Sequence, residues 1–167
     1  MKYLAPAMPM SPKPNSSQSK FCCGGYRHAS SPSELLVVAD DSANPSYIAA
    51  DLLSQAEHGP DSQVLLLTPS TSLADAVAVA VTEQCQQLPR RAIAEQALAN
   101  SRLLITESLS MALDIAERYA PEHLSLQFDN AEQAVSRINR AGSIFVGHFT
   151  PESGGDYATG TNHVLPT

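Results

Sequence analysis

With 167 residues, of which 43% are apolar, the chain is long enough for one domain of ordinary size with a real core. Its formal net charge is −7 and its lysines and arginines are scattered, so no basic stripe exists to neutralise the phosphates of a nucleic acid. No apolar run approaches the roughly 20 residues that span a bilayer. We therefore expect no nucleic-acid partner and no membrane partner.

The cysteines and the N-terminal residues indicate the cellular compartment of the protein. Cys22, Cys23 and Cys85 have neither the number of a disulfide framework nor the spacing of a zinc ribbon. Pro6 and Pro9 interrupt any apolar segment near the start, so a signal peptide is not indicated. These features predict a protein of the reducing cytoplasm.

The composition and the apolar pattern of the chain change near residue 31. Residues 1–30 include the polar, proline-containing stretch SPKPNSSQSK and show no apolar period, which predicts a disordered arm of low complexity. A regular alternation of apolar runs and amphipathic segments follows. We therefore expect an α/β domain over residues 31–167.

Short runs rich in Val and Leu predict strands that are buried on both faces. Gly and Pro mark the ends of the segments between them, and Asn44–Pro45 has the pattern of an N-cap followed by the first helical residue. The predicted elements in chain order are strand 34–40, helix 46–58, strand 62–68, helices 72–88 and 90–101, strand 102–106, helix 108–120, strand 123–128, helix 130–142 and strand 143–147.

This alternation predicts the fold class. It indicates a mostly parallel sheet flanked by helices, Rossmann-like but incomplete. Ligands of such sheets bind beyond the carboxyl ends of the strands. We therefore expect the chemically interesting residues near those ends or at the ends of helices.

A first candidate pair is Gln55 and His58, which lie three residues apart near the end of the first predicted helix and so share a face. Histidine is a common zinc ligand, and the carbonyl oxygen of Gln is a rare one. The alternative is that His58 interacts with the carbonyl groups at the carboxyl end of the helix. Both interpretations remain open on spacing alone.

A second candidate pair is Glu122 and His123, which follow Pro121 where a helix gives way to a strand. Adjacent residues that enter a strand diverge, so the two do not form a simple hydrogen-bonded dyad. They could address different atoms of one substrate, the carboxylate activating water and the imidazole accepting a proton. The alternative is an exposed Glu beside a His in a turn.

A third candidate is the terminal stretch GGDYATGTNHVLPT. Gly154 and Gly155 allow close backbone approach or positive φ next to Asp156, whose carboxylate could complete a ligand set with Gln55 and His58. His163 could touch a substrate. The alternative is a surface loop whose polar side chains bond to their own backbone.

Taken together, several stretches resemble the histidinol dehydrogenase family, in the order and at the spacing of that family. The match covers about residues 31–167. The matching stretches are PSELLVVAD, DLLSQAEHGPDSQVLLLTP, YAPEHL, AGSIFVG and PESGGDYATGTNHVLPT.

The resemblance implies an activity and a set of roles. It implies oxidation of L-histidinol to L-histidine through histidinal, in two NAD-dependent steps of histidine biosynthesis, by a homodimer with one Zn²⁺ per active site. Gln55, His58 and Asp156 are implied as zinc ligands. Glu122 is implied as the base that activates water for the second oxidation, and His123 as the acceptor of the proton from the substrate hydroxyl.

The resemblance also implies the residues that bind L-histidinol. Ser33 falls at a substrate-contacting position, and His163 lies in the loop near the substrate. Most NAD contacts of the family lie upstream of the matched stretch, so no cofactor-binding residues are assigned. The implied substrate-binding residues are Ser33, Gln55, His58, His123, Asp156 and His163.

The length of the chain raises an expectation about activity. Family members are more than twice as long, and Ser31 stands where the family has a glycine. We therefore expect a fragment of the enzyme that is inactive, or nearly so, by itself. The alternatives are a non-catalytic module that binds a metal or an imidazole, and a remnant of the fold with only an interaction role.

Overall fold

A computed structural model describes residues 33–151 as a five-stranded sheet with helices on both faces. The strands are β1 Glu34–Ala39, β2 Gln63–Thr68, β3 Arg102–Ile105, β4 His123–Gln127 and β5 Ser143–Val146. The four strand pairings are parallel and the strand order is β3-β2-β1-β4-β5, the order of a Rossmann fold. The predicted fold class is confirmed. The helices are α1 Pro45–Ala56, α2 Thr71–Cys85, α3 Arg91–Ala99, α4 Leu109–Tyr119 and a 3₁₀ helix Ala131–Arg137.

The two faces of β1 belong to two different layers of the core. Leu35, Val37 and Ala39 pack with residues of α1 and α2, whereas Leu36 and Val38 pack with residues of α4 and the 3₁₀ helix. A third cluster joins α1 to α2 and α3. Because successive strand residues point to opposite faces, a strand covered on both sides must be apolar throughout. This is why the run LLVVA is continuous.

The start of α1 follows its sequence signals. The side-chain oxygen of Asn44 accepts a hydrogen bond of 2.9 Å from the backbone N–H of Ser46, and Pro45 is the first helical residue. The helix ends at Ala56, two residues earlier than the predicted end. His58 therefore lies in the turn just beyond the helix, and its backbone N–H bonds to the carbonyl of Gln55 at 3.2 Å.

The predicted helix 130–142 is wrong in type and length. The chain forms only the 3₁₀ helix, and Ile138 is already extended, with φ −108° and ψ 119°. The buried residues Ala131 and Ala134 are three apart, which places both on the core in a helix of three residues per turn. Beyond them, the backbone N–H of Asn139 donates to Glu117 of α4 at 2.8 Å. Contacts with α4 therefore determine the path of residues 130–142 more strongly than their helix-like sequence pattern does.

Residues 33–151 contain no helix that is long and apolar enough to cross a membrane. The predicted arm 1–30 and the candidates Asp156 and His163 lie outside the described residues.

Candidate active site

The described candidate residues lie at the amino end of the sheet, not at the carboxyl ends of the strands. Ser33 directly precedes β1, and Glu122 directly precedes β4. Each helix runs back against its preceding strand, so the carboxyl end of α1, with Gln55 and His58, reaches the same edge. The expectation of a site beyond the carboxyl ends of the strands is therefore corrected, although the expectation of residues at helix ends holds.

Gln55 and His58 lie side by side at the end of α1. The Nε2 atom of Gln55 is 3.4 Å from the Nδ1 atom of His58. The Gln55 side chain is 0% exposed, whereas His58 is exposed. The Oε1 atom of Gln55 is buried and has no hydrogen-bond partner among the described residues. The predicted shared face therefore exists, and on it the amide nitrogen of Gln55 lies beside the imidazole of His58.

A buried hydrogen bond sets the position of α1 along β4. The side-chain Nε2 of Gln127 donates to the carboxylate of Asp51 at 2.7 Å. From Asp51, the chain advances about 10 Å along the helix direction to His58. From Gln127, β4 runs about 13 Å in the same direction back to His123. Both histidines therefore lie toward the amino end of the sheet.

Glu122 is held by two donors from the segment that enters β1. One carboxylate oxygen, Oε2, accepts a hydrogen bond of 3.0 Å from the hydroxyl of Ser33 and another of 3.3 Å from the backbone N–H of Glu34. The other oxygen, Oε1, is 3.9 Å from Nε2 of His123, too far for a direct hydrogen bond. The Glu122 side chain is 27% exposed and that of His123 only 6%. The pair can thus act on different atoms.

One face of β4 is polar, a feature that the sequence interpretation overlooked. His123, Ser125 and Gln127 alternate with Leu124 and Leu126, and all five are buried. The two leucines pack in the core beneath α4, so the three polar side chains face the α1 side. The period of two in HLSLQ was the available signal. The aromatic ring of Phe145 lies 6.0 Å from the His123 ring on this face.

A second overlooked group surrounds Glu34, next to Glu122. Burial raises the pKa of the Glu34 carboxyl, and the negative charge of Glu122 adds to the rise. The Tyr119 hydroxyl donates to Oε1 of Gln63 at 2.6 Å. Burial raises the pKa of Tyr119 to about 12, with Glu34 contributing. No local sequence pattern marks these contacts, because Tyr119 and Gln63 are 56 positions apart.

The donor atoms at the end of α1 fit a zinc ion in their chemistry. A carbonyl oxygen and an imidazole are accepted zinc ligands, and a buried oxygen without a partner costs about 1–3 kcal/mol unless something binds it. Between residues 33 and 151, no three His, Cys, Asp or Glu side chains cluster as a metal site. The third implied ligand, Asp156, and the substrate contact His163 lie beyond this range.

Comparison with known proteins identifies relatives. The family model described as histidinol dehydrogenase matches residues 27–167. Histidinol dehydrogenase from Idiomarina loihiensis is 68% identical over 136 residues, and that from Escherichia coli K12 is 57% identical over 136 residues. Each alignment covers 81% of this chain.

A solved structure agrees with these relatives. The crystal structure of histidinol dehydrogenase from Elizabethkingia anophelis matches with a TM-score of 0.80 and 51% identity, over 83% of this chain and 32% of that one. The chain spans about 31% of the length of the two relatives named above. The family match and the structural match both extend over most of this chain, and the chain belongs to the histidinol dehydrogenase family.

Proposed function

We propose that this chain carries a metal- and substrate-binding part of a histidinol dehydrogenase, which oxidises L-histidinol to L-histidine through histidinal with NAD. The observation that carries the proposal is that two pairs of candidate residues lie at the same end of the sheet. Gln55, whose buried side-chain oxygen has no partner among the described residues, lies beside His58, and Glu122 precedes the buried His123. Family membership supplies the identity of the reaction.

In this proposal, Gln55, His58 and Asp156 hold the zinc ion. The metal supplies a fixed positive centre that orients the substrate. Asp156 follows Pro151, the last described residue, by five positions, and five residues reach at most about 18 Å. Pro151 lines a cleft together with Ala50 and Asp51 of α1, so that reach includes the carboxyl end of α1. Chain length therefore permits the third ligand.

The proton steps fall to Glu122 and His123. In the first oxidation, a ring nitrogen of His123 takes the proton of the substrate hydroxyl while the hydride leaves for NAD. In the second oxidation, the Glu122 carboxylate would remove a proton from the water that adds to the aldehyde carbon, and the tetrahedral oxyanion so formed would lose its hydride to a second NAD. Their separation of 3.9 Å leaves each group available to its own reacting atom. The low exposure of His123 helps to exclude bulk water from the first step.

The remaining roles belong to the same proposal. Ser33 and His163 join the substrate-binding set, and the complete enzyme is a homodimer in the cytoplasm. The competing proposals are a non-catalytic metal-binding module and a remnant with only an interaction role, because the chain spans about 31% of the length of its relatives.

Zinc titration of the purified chain tests the metal site. We expect His58→Ala to weaken zinc binding by more than about tenfold, because few ligands remain to compensate. His148→Ala is the matched control, since His148 lies at the opposite end of the sheet, 3.2 Å from Asp129. Glu122→Gln should also bind zinc nearly as the wild type does. Absence of zinc binding by the wild-type chain would favour the interaction remnant, and equal loss in both histidine variants would contradict the ligand assignment.

A further inference from the structure

We propose that Ser33 is a positioning residue for Glu122. Its hydroxyl, together with the backbone N–H of Glu34, fixes one carboxylate oxygen so that the other is turned toward the reacting water. This inference deepens the proposed function and rests on it for the role of Glu122. It adds to the expectation that Ser33 contacts the substrate.

The hydrogen bonds distinguish the two oxygens of the Glu122 carboxylate. Oε2 of Glu122 lies 3.0 Å from the Ser33 hydroxyl oxygen and 3.3 Å from the Glu34 nitrogen, while Oε1 faces His123. Hydrogen bonds to a carboxylate are roughly twice as strong as those between neutral groups. Two donors on one oxygen therefore set the rotation of the carboxylate group.

The backbones on both sides of this contact are fixed by the sheet. The carbonyl of Ser33 accepts a hydrogen bond of 3.1 Å from the N–H of Gln63 in β2. The carbonyl of Glu122 accepts one of 2.9 Å from the N–H of Ser143 in β5. β1 and β4 are parallel neighbours with Leu35 opposite His123, so the segments just before them also lie side by side. The serine and the glutamate are thus held by neighbouring strands, which preorganises the contact.

The donor capacity of serine limits what else Ser33 can do. A hydroxyl has one proton, and in this structure that proton is donated to Glu122. While the bond persists, Ser33 can only accept a hydrogen bond from a ligand. The amine or imidazole N–H of a substrate fits this remaining capacity, whereas an oxygen acceptor does not.

Carboxyl-carbon NMR on the purified chain, labelled at the glutamate side-chain carboxyl, tests the inference without any turnover. The signal of Glu122 is identified by its loss in Glu122→Gln. We expect Ser33→Ala to move this signal toward the position of the exposed glutamate Glu107. Ser33→Thr, which keeps a hydroxyl, should restore the native position.

A matched control removes a similar bond at the other end of the sheet. The hydroxyl of Ser42 donates to the carboxylate of Asp40, and Ser42→Ala should leave the Glu122 signal in place. Backbone amide spectra report whether each variant is folded. A Glu122 signal that stays unmoved in folded Ser33→Ala overturns the inference, as does failure of Ser33→Thr to keep the native position. A chain that does not bind zinc refutes the proposed function but leaves this signal unaffected, so the two failures are distinguishable.

Discussion

The ionisation of Tyr119 is coupled to the stability of the folded domain. Its hydroxyl bonds to Gln63, and burial raises its pKa from 10.0 to about 12. Because the folded chain disfavours the phenolate, the stability from Tyr119 is fully present below pH 10 and is lost as the pH rises toward 12.

We therefore expect the stability difference between wild type and Tyr119→Phe to depend on pH. Near neutral pH, Phe should cost about 1 kcal/mol because the hydrogen bond to Gln63 is lost. From about pH 10 to 12 this difference should shrink, since only the wild type can ionise there. Urea unfolding at a series of pH values measures it. A difference that stays constant over that range would contradict the assigned cause.

At the same scale, the sequence anticipated some contacts and not others. The spacing of Gln55 and His58 predicted a shared face, and their side-chain nitrogens are 3.4 Å apart. The contact between Ser33 and Glu122 joins positions 89 apart and arises from the pairing of β1 with β4. Local patterns do not encode which strands are neighbours, so this contact was not predictable.

Among the elements, α1 and β4 are held together by polar groups that lie inside the protein. Gln127 is 1% exposed and donates to Asp51, which is 6% exposed, and also to the hydroxyl of Ser125 at 3.2 Å. Removing the donor leaves a buried carboxylate without this hydrogen bond, which is more costly than losing a surface contact. The same bond sets the level of Gln55 relative to β4.

Gln127→Leu should lower the free energy of unfolding by about 2–4 kcal/mol. Because α1 then loses its anchor on β4, zinc affinity should fall as well. The matched control is Gln133→Leu at an exposed position of the 3₁₀ helix, which should stay within about 0.5 kcal/mol of the wild type. Chemical denaturation and zinc titration of both variants measure these effects. Similar losses of stability and zinc affinity in both variants would show that the hydrogen bond between Gln127 and Asp51 does not stabilise the fold.

The central strands β1 and β2 were predictable because their apolar runs are covered on both faces. The predicted helix at 130–142 was wrong because its buried positions, Ala131 and Ala134, fit a 3₁₀ turn as well as an α-helix. The backbone contact of Asn139 with Glu117 then decides the path, and the sequence between 130 and 142 does not reveal that contact.

For the molecule as a whole, the location of the described candidate residues at the amino end of the sheet was not predictable from the general behaviour of parallel sheets. Ligands commonly bind at the carboxyl ends because loops and helix N-termini gather there. Here the carboxyl end of α1 and the residues preceding β1 and β4 meet at the opposite edge. Strand order and helix direction, not any motif, produce this meeting.

We expect the purified 167-residue chain to produce little or no NADH from L-histidinol. The chain spans about 31% of the length of the enzymes it resembles, and no NAD-binding residues are assigned within it. Absorbance of NADH over time, with zinc present, measures this. A full-length histidinol dehydrogenase assayed under the same conditions is the control. Clear turnover by the 167 residues would refute the proposal that they carry only part of the active machinery.

The alternation along β4 has a consequence for insertions and deletions. His123, Ser125 and Gln127 share a face only because each is two residues from the next. Deleting one residue early in β4 would move every later side chain to the opposite face, placing Leu126 on the face that packs against α1 and Gln127 among the leucines. Substitutions can be absorbed one position at a time, but a change in the length of this strand disrupts the core and the site together.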